Sequence, residues 1–283
     1  MYPVIFELPD WLPLLGGAAI TSFGVMMLLS FLTGGYLIRA EMRRIGEDPE
    51  KAWDLVFMAV VGGIVGAKAY YVLLNWPRLV EDPFALIFSR GGLVWYGGFL
   101  VATALVVWEI RRQKLPLRPM ADVVAPALAL AYAVGRVGCF LVGDDWGRPT
   151  GSWVGVRFPQ GAPPSHVDII ERDFGITVDP ELVERYGQIV PVHPTQLYEV
   201  GLSTLIFFLL WRIRRHRHAA GWLFMLWLAL AGMERFLVEF LRAKDDRFWA
   251  GLTLAQVISL MIVAVGVVGV ARTRRGGETP PAA

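Results

Sequence analysis

The stretch Ala133-Val134-Gly135-Arg136-Val137-Gly138-Cys139-Phe140-Leu141-Val142-Gly143-Asp144-Asp145-Trp146-Gly147-Arg148 begins as the last turns of a long apolar segment, Met120 to Leu141. It ends as a Gly- and Asp-rich turn. About 20 apolar residues are enough to cross a bilayer as a helix. Arg136 lies about one and a half turns inside the helix end, at roughly 1.5 Å of rise per residue. An ionisable group at such a depth is costly unless it is paired or solvated, so it marks a functional site by default. The stretch therefore predicts a membrane helix that carries an arginine into a polar site near one face.

The rest of the chain agrees with that class. Of 283 residues, 55% are apolar and bunched in long runs, and the mean hydropathy is +0.49, which is high for a soluble domain of this length. Seven segments are long and apolar enough to be read as helices: 17–38, 54–75, 92–110, 120–141, 196–212, 220–241 and 252–271. The expected fold is an all-α integral membrane protein, one polytopic domain over 1–283. A net charge of +2 argues against nucleic acid as a partner. A single cysteine, Cys139, excludes an intrachain disulfide and argues against a thiolate metal site. The N-terminal residues 1–13 have no basic run and carry Glu7 and Asp10. The expectation is no cleaved signal peptide, with the first apolar segment as anchor.

Charge then orients the helices. Arg39, Arg43, Arg44 and Lys51 follow the first segment; Arg111, Arg112, Lys114 and Arg118 follow the third. Arg212, Arg214, Arg215 and Arg217 follow the fifth, and Arg272, Arg274 and Arg275 follow the seventh. These alternate connections hold 15 of the 27 basic residues, so the positive-inside rule makes them cytoplasmic. The N-terminus is expected outside and the C-terminus inside. The long connection 143–194 then falls outside as a small extracytoplasmic cap between helices 4 and 5. It holds eight acidic residues against four arginines, and its Pro and Gly content indicates turns. Ser165 to Phe174 and Asp179 to Tyr186 read as short helices, the second with Asp179 as N-cap and Pro180 at the first helical position.

Under that orientation Lys68, Arg136, Glu199, Glu234, Arg235 and Glu239 all fall in the outer half of the bilayer. Scatter would be expected by chance, so the clustering points to a polar cavity with Arg136 and Arg235 as its cationic floor. Plain pairing is the competing account: Arg235 and Glu239 are one helical turn apart, and Arg136 can pair with Glu199. Two other stretches sit at the same face. Arg90-Gly91-Gly92-Leu93-Val94-Trp95-Tyr96-Gly97-Gly98 opens helix 3, where glycines permit close approach by a helix or a ligand. Val192-His193-Pro194-Thr195-Gln196-Leu197-Tyr198-Glu199 leads into helix 5, with Thr195 as a candidate cap.

Taken together these motifs resemble one family, the phosphatidylglycerol–prolipoprotein diacylglyceryl transferases of bacterial inner membranes. The resemblance covers nearly the whole chain. It rests on residues 91–98, on Gly-Arg-x-Gly with its downstream Trp-Gly-Arg (135–148), on His-Pro-x-Gln-Leu-Tyr-Glu (193–199) and on Arg-Phe-x-x-Glu-Phe-x-Arg (235–242). It implies an enzyme of the bacterial cytoplasmic membrane, without metal or cofactor. Such an enzyme moves the diacylglyceryl group of phosphatidylglycerol to the lipobox cysteine of a prolipoprotein signal peptide and releases glycerol 1-phosphate. The partners implied are that lipid, that peptide and the lipid bilayer. The resemblance makes Arg136, Arg235 and Tyr96 the catalytic candidates. Gly97, Gly98, Gly135, Gly138, His193, Gln196, Tyr198, Glu199, Glu239 and Lys68 are the substrate-binding candidates.

Three positions depart from the family's pattern. Tyr96 stands where many members have the histidine favoured as general base, and a phenol with an ordinary pKa of about 10 is a poorer resting base. Cys139 replaces an asparagine, and Ala231 a tyrosine; besides these three, the acid often found before the Trp-Gly pair is shifted to Asp144 and Asp145. The three replacements motivate an alternative, a non-catalytic phospholipid- or lipoprotein-binding paralogue. A transporter using the same charges is disfavoured by the absence of inverted repeats.

Overall fold

The computed structural model describes residues 3–7, 9, 11, 17, 19–89, 92–244, 247–249 and 251–274. Asp10, Arg90, Gly91 and Arg275 of the sequence reading lie outside the described residues. Contacts divide the chain into two units, residues 1–33 with 125–283, and residues 34–124. The division falls within two long helices, and each unit is described by itself.

The first unit opens with a hairpin of β1 (Val4–Glu7) and β2 (Ala19–Thr21). Helix α1 (Ser22–Arg44) follows. It starts five residues later than the apolar run suggests and ends six residues beyond it. The start is set by Thr21, whose Oγ1 accepts from Gly24 N at 3.1 Å, and by Ser22 N, which donates to Pro3 O at 3.1 Å. A side-chain oxygen on a free N–H is what fixes a helix start. The end extends because Ala40, Glu41 and Met42 are good helix formers, and Arg43 and Arg44 suit the C-terminal dipole.

The second unit holds α2 (Lys51–Leu74), two short helices α3 (Trp76–Glu81) and α4 (Pro83–Phe88), and α5 (Trp95–Arg112). The short pair is not foreseen by the seven-segment reading. Asp82 caps α4 by accepting from Ala85 N at 2.9 Å. Helices α2 and α5 meet through small residues. A Cβ on Gly66 would stand 2.3 Å from the Gly97 carbonyl oxygen, and one on Gly97 2.4 Å from that of Gly66. Only glycine allows two backbones this close.

Helix α6 (Leu117–Val142) carries Pro126 inside it and returns the chain to the first unit. There Ser30 Oγ donates to Ala131 O at 2.6 Å, tying α1 to α6. Residues 143–194 contain α7 (Val167–Phe174) and α8 (Pro180–Tyr186). Asp179 caps α8 and Pro180 opens it, as the sequence pattern predicts. Trp146, Phe158, Val167, Ile170, Val178, Val190 and Val192 form one buried apolar cluster here. Helices α9 (Thr195–Ile213), α10 (Trp222–Glu239) and α11 (Leu254–Thr273) complete the unit, with β3 (Arg247–Trp249) and β4 (Leu252–Thr253) before the last. Thr195 is not the cap expected of it: it is the first residue of α9, and Pro194 precedes the helix without a side-chain bond.

Among the described residues, five helices are long and apolar enough to cross a membrane: α1, α2, α6, α9 and α11. Helices α5 and α10 have only 18 residues each, so any stretch of that length takes in all three of their charged residues, whereas the other five each hold an 18-residue stretch with at most two. The chain is mostly helical and of the integral-membrane class.

Candidate functional site

Three sequence motifs, far apart in the chain, are zipped together by backbone hydrogen bonds. Gly147 N donates to His193 O at 2.7 Å, His193 N to Arg148 O at 3.0 Å, and Arg148 N to Leu241 O at 2.7 Å. A Cβ on Gly147 would stand 2.4 Å from the Leu241 carbonyl oxygen, so this contact requires glycine. Side chains add to it. Thr195 Oγ1 donates to Asp145 O at 2.7 Å, and Gln196 Nε2 donates to Asp144 O. The turn that ends α6 is thereby fixed against the start of α9 and the end of α10. Gly143, at φ +70°, stops α6 in the left-handed conformation that glycine adopts without strain.

On this frame sits a network of ion pairs. Arg136, 8% exposed, pairs through Nη2 with Glu199, which is 1% exposed. Its Nη1 reaches Asp145 Oδ2 at 2.9 Å and Cys139 Sγ at 3.3 Å. The other oxygen of Asp145 accepts from Arg242 Nη2 at 2.6 Å. Arg242 Nε lies 3.5 Å from Glu239, and Glu239 pairs with Arg235 Nη2 at 2.6 Å. Thr253 Oγ1, the cap of α11, donates to Glu239 Oε1 at 3.1 Å. Glu199 and Arg235 thus stand at the two ends of one chain of charges, with Arg136 next to Glu199. Three guanidinium groups alternate with three carboxylates, and buried charges persist only when paired this way.

Two donors are left over. Arg136 Nε and Arg235 Nη1 are buried and have no hydrogen-bond partner among the described residues. A buried N–H without an acceptor is costly, and a fixed guanidinium with a spare N–H is suited to a phosphate oxygen.

Outside the helices, the charges are perturbed as the pairing demands. For Asp145 burial pushes the pKa up, but Arg242 and Arg136 outweigh it and hold the group well below the usual carboxylate range. Arg242 is raised: burial works against its charge, and Asp145 more than compensates. Asp144, mainly through burial, is raised. Burial lowers His193, whose Nδ1 lies 3.1 Å from the Tyr198 hydroxyl.

The structure brings together Arg136, Glu199, Arg235 and Glu239 of the expected residues, with Gln196, His193 and Tyr198 on the adjoining frame. Gly135 and Gly138 face α1, where a Cβ on Gly138 would stand 2.9 Å from Met26 Cβ. Within the second unit, Gly97 and Gly98 meet α2, and Lys68 Nζ donates to Ser89 O and Oγ at 2.9 and 2.7 Å. Tyr96, in the first turn of α5, is 52% exposed and stacks edge-on with Trp95. Three members of the network escape the sequence reading as site residues. Tyr132 donates to Glu199 Oε1 at 3.1 Å, and the other two are Asp145 and Arg242. Tyr132 was findable, because it stands one turn before Arg136 on the same helix.

The model of the prolipoprotein diacylglyceryl transferase family matches residues 9–272. The chain belongs to this family. Similar proteins named phosphatidylglycerol–prolipoprotein diacylglyceryl transferase occur in Stenotrophomonas maltophilia and in Clostridium tetani. The first is 32% identical over 94% of this chain and 92% of its own length. The second is 29% identical over 94% and 96%. The same name is carried by a Vibrio cholerae protein, 30% identical over 94% and 89%. The transferase-family motifs at 135–148, 193–199 and 235–242 are the segments that the backbone bonds above hold together.

Proposed function

We propose that this chain transfers the diacylglyceryl group of phosphatidylglycerol to the lipobox cysteine of prolipoproteins, the activity its relatives are named for. One observation carries the reading at the site: Arg136 and Arg235 are fixed by buried carboxylates, and each keeps one buried N–H without a partner among the described residues.

In the reaction the acceptor's sulfur forms a bond to the glyceryl carbon that bears the phosphate. The carbon–oxygen bond breaks, and glycerol 1-phosphate leaves with the bonding pair. The thiol proton balances the new charge on the phosphate monoester. Negative charge grows on phosphate oxygens in a water-poor site, where preorganised donors are most effective. Arg136 Nε and Arg235 Nη1 are assigned to those oxygens, with Glu199 and Glu239 orienting the two arginines. Tyr96 occupies the motif position of the family's histidine and is assigned to hydrogen-bonding the thiol. Gln196, His193 and Tyr198 hold the start of α9 in place. Cys139 is not the acceptor, which belongs to the substrate.

The same proposal places seven helices across the bacterial cytoplasmic membrane, with α5 and α10 as the two shortest. Residues 143–194 form an extracytoplasmic cap, the N-terminus is outside and the C-terminus inside. The basic connections support this arrangement.

The test uses purified protein in nanodiscs with phosphatidylglycerol and a lipobox peptide, following peptide mass and glycerol phosphate release. Arg136→Ala is expected to lower turnover by on the order of 10²–10³-fold, the cost of losing a donor to developing charge. Retained transfer would remove Arg136 from the site. Bound lipid without any transfer by the unaltered protein would favour the non-catalytic paralogue.

A further inference from the structure

The Asp145 carboxylate occupies a position that an oxyanion ligand would take. Its two oxygens are divided between two guanidinium groups, Oδ2 on Arg136 Nη1 at 2.9 Å and Oδ1 on Arg242 Nη2 at 2.6 Å. Both arginine side chains are more than nine-tenths buried, whereas the Asp145 side chain is 44% exposed. The floor of this arrangement is therefore rigid and cationic, and the group lying on it is the accessible one. Its backbone is unusual too: Asp145 sits at φ +56°, in the left-handed region that L-residues other than Asn and Asp rarely occupy. Asp145 is held there by Thr195, which donates to its carbonyl at 2.7 Å.

We propose that Arg136 and Arg242 form a second anion subsite beside the lipid-phosphate donors, and that Asp145 fills it as an internal stand-in for a phosphoryl group. The proposal rests on the transferase reading and deepens it. A phosphoryl group presents paired oxygens to two guanidiniums as a carboxylate does. Two sources supply that chemistry, the headgroup of the lipid and the glycerol phosphate that leaves it. With Asp145 in place the subsite is filled between turnovers. When Asp145 turns outward, Arg136 and Arg242 receive the anion and Asp145 then displaces it. The carboxylate thus competes with the product for its own site and speeds product release.

The experiment measures binding rather than turnover, so it does not depend on the transferase reading. Inorganic phosphate and glycerol 1-phosphate are titrated by calorimetry into full-length protein in phosphatidylcholine nanodiscs. A parallel series varies the phosphatidylglycerol content of the discs. Asp145→Asn keeps a residue that tolerates positive φ but removes the competing charge. It is expected to tighten anion binding by roughly tenfold or more, the scale of one charge-assisted hydrogen bond. Asp145→Gly, which also suits that backbone, carries the same expectation should the first variant fold poorly. Asp145→Glu retains the charge and is expected to bind as weakly as the unaltered protein. Adding Arg242→Gln to Asp145→Asn is expected to abolish the gain. A gain with the soluble anions alone assigns the subsite to the departing product; a gain with phosphatidylglycerol alone assigns it to the headgroup. Unchanged affinity for every anion, or a gain that survives loss of Arg242, overturns the proposal. Absence of peptide transfer by the unaltered protein would instead overturn the transferase reading and leave this binding result standing.

Discussion

Glu199 has two carboxylate oxygens and two neighbours on one face of α6. Arg136 takes one, and the Tyr132 hydroxyl, a turn earlier on the same helix, donates to the other at 3.1 Å. The Tyr132 ring also lies 6.0 Å from the guanidinium carbon, within cation–π range. Removing that hydroxyl leaves a buried carboxylate oxygen short of a donor, worth roughly 1–2 kcal/mol. Tyr132→Phe is therefore expected to lower transfer about tenfold. Steady-state rates in nanodiscs check this, and an unchanged rate would mean Glu199 is held by Arg136 alone. The neighbouring aspartates differ in sign. Asp145, held below its ordinary range, contributes stability that is present above the unfolded value near 3.9 and lost as pH falls further. Asp144 is raised by burial, so its ionisation costs stability as pH rises through the unfolded value toward the folded one. Asp144→Asn should accordingly raise the unfolding temperature at pH 7, with the gain shrinking towards pH 4; an equal gain at both pH values would contradict the shift. At this scale the sequence displays Arg136, Glu199, Arg235 and Glu239, because charges in apolar segments stand out. Tyr132 shows itself only through its place one turn before Arg136, since alone it reads as one more apolar helix residue. Asp145 is hidden, because Asp in a Gly-rich turn reads as a turn former.

Among the elements, the turn after α6 does most to assemble the site. Its backbone is bonded to residue 193 ahead of α9 and to residue 241 after α10, so three motifs become one structure. The tightest point is Gly147, where a methyl group would meet the Leu241 carbonyl at 2.4 Å, and a backbone atom cannot swing aside. Gly147→Ala is expected to destabilise by about 1–3 kcal/mol through overpacking. It should also expose residues 143–194 to limited proteolysis; a cleavage pattern identical to that of the unaltered protein would show that the turn can relax. The existence and order of the long helices were readable from apolar runs, since those runs respond to a single solvent. Their ends were less so. The start of α1 depends on a hairpin residue, Thr21, and α3 and α4 depend on the Asp82 cap, neither of which changes the hydropathy pattern. The glycines opening α5 permit both a ligand and a helix in the sequence; Gly97 and Gly98 are in fact closely met by α2.

For the whole molecule, the arrangement across the membrane follows from charge rather than from any contact. The loop before α2 and the connection between α6 and α9 belong on opposite faces if the basic connections are cytoplasmic. Asp48 lies exposed in the first, and Trp153, 95% exposed, lies in the stretch following α6. Cys139 is the only cysteine and is buried, so replacing it with alanine gives a background in which single cysteines report their own accessibility. Trp153→Cys should react with a membrane-impermeant maleimide in intact spheroplasts, whereas Asp48→Cys should react only once the membrane is opened. Reversed labelling would invert the protein and put the arginine network at the cytoplasmic face. Labelling of both from outside would mean that an even number of segments crosses between the two positions. Three long helices, α2, α5 and α6, lie between them, and α5, at 18 residues, is the one that falls outside the set of long apolar helices. Opposite-side labelling requires that all three cross or that only one does. Two further cysteines, at Phe84 between α2 and α5 and at Lys114 between α5 and α6, separate these cases. Labelling of the first and protection of the second in intact spheroplasts is expected only if α5 spans together with α2 and α6.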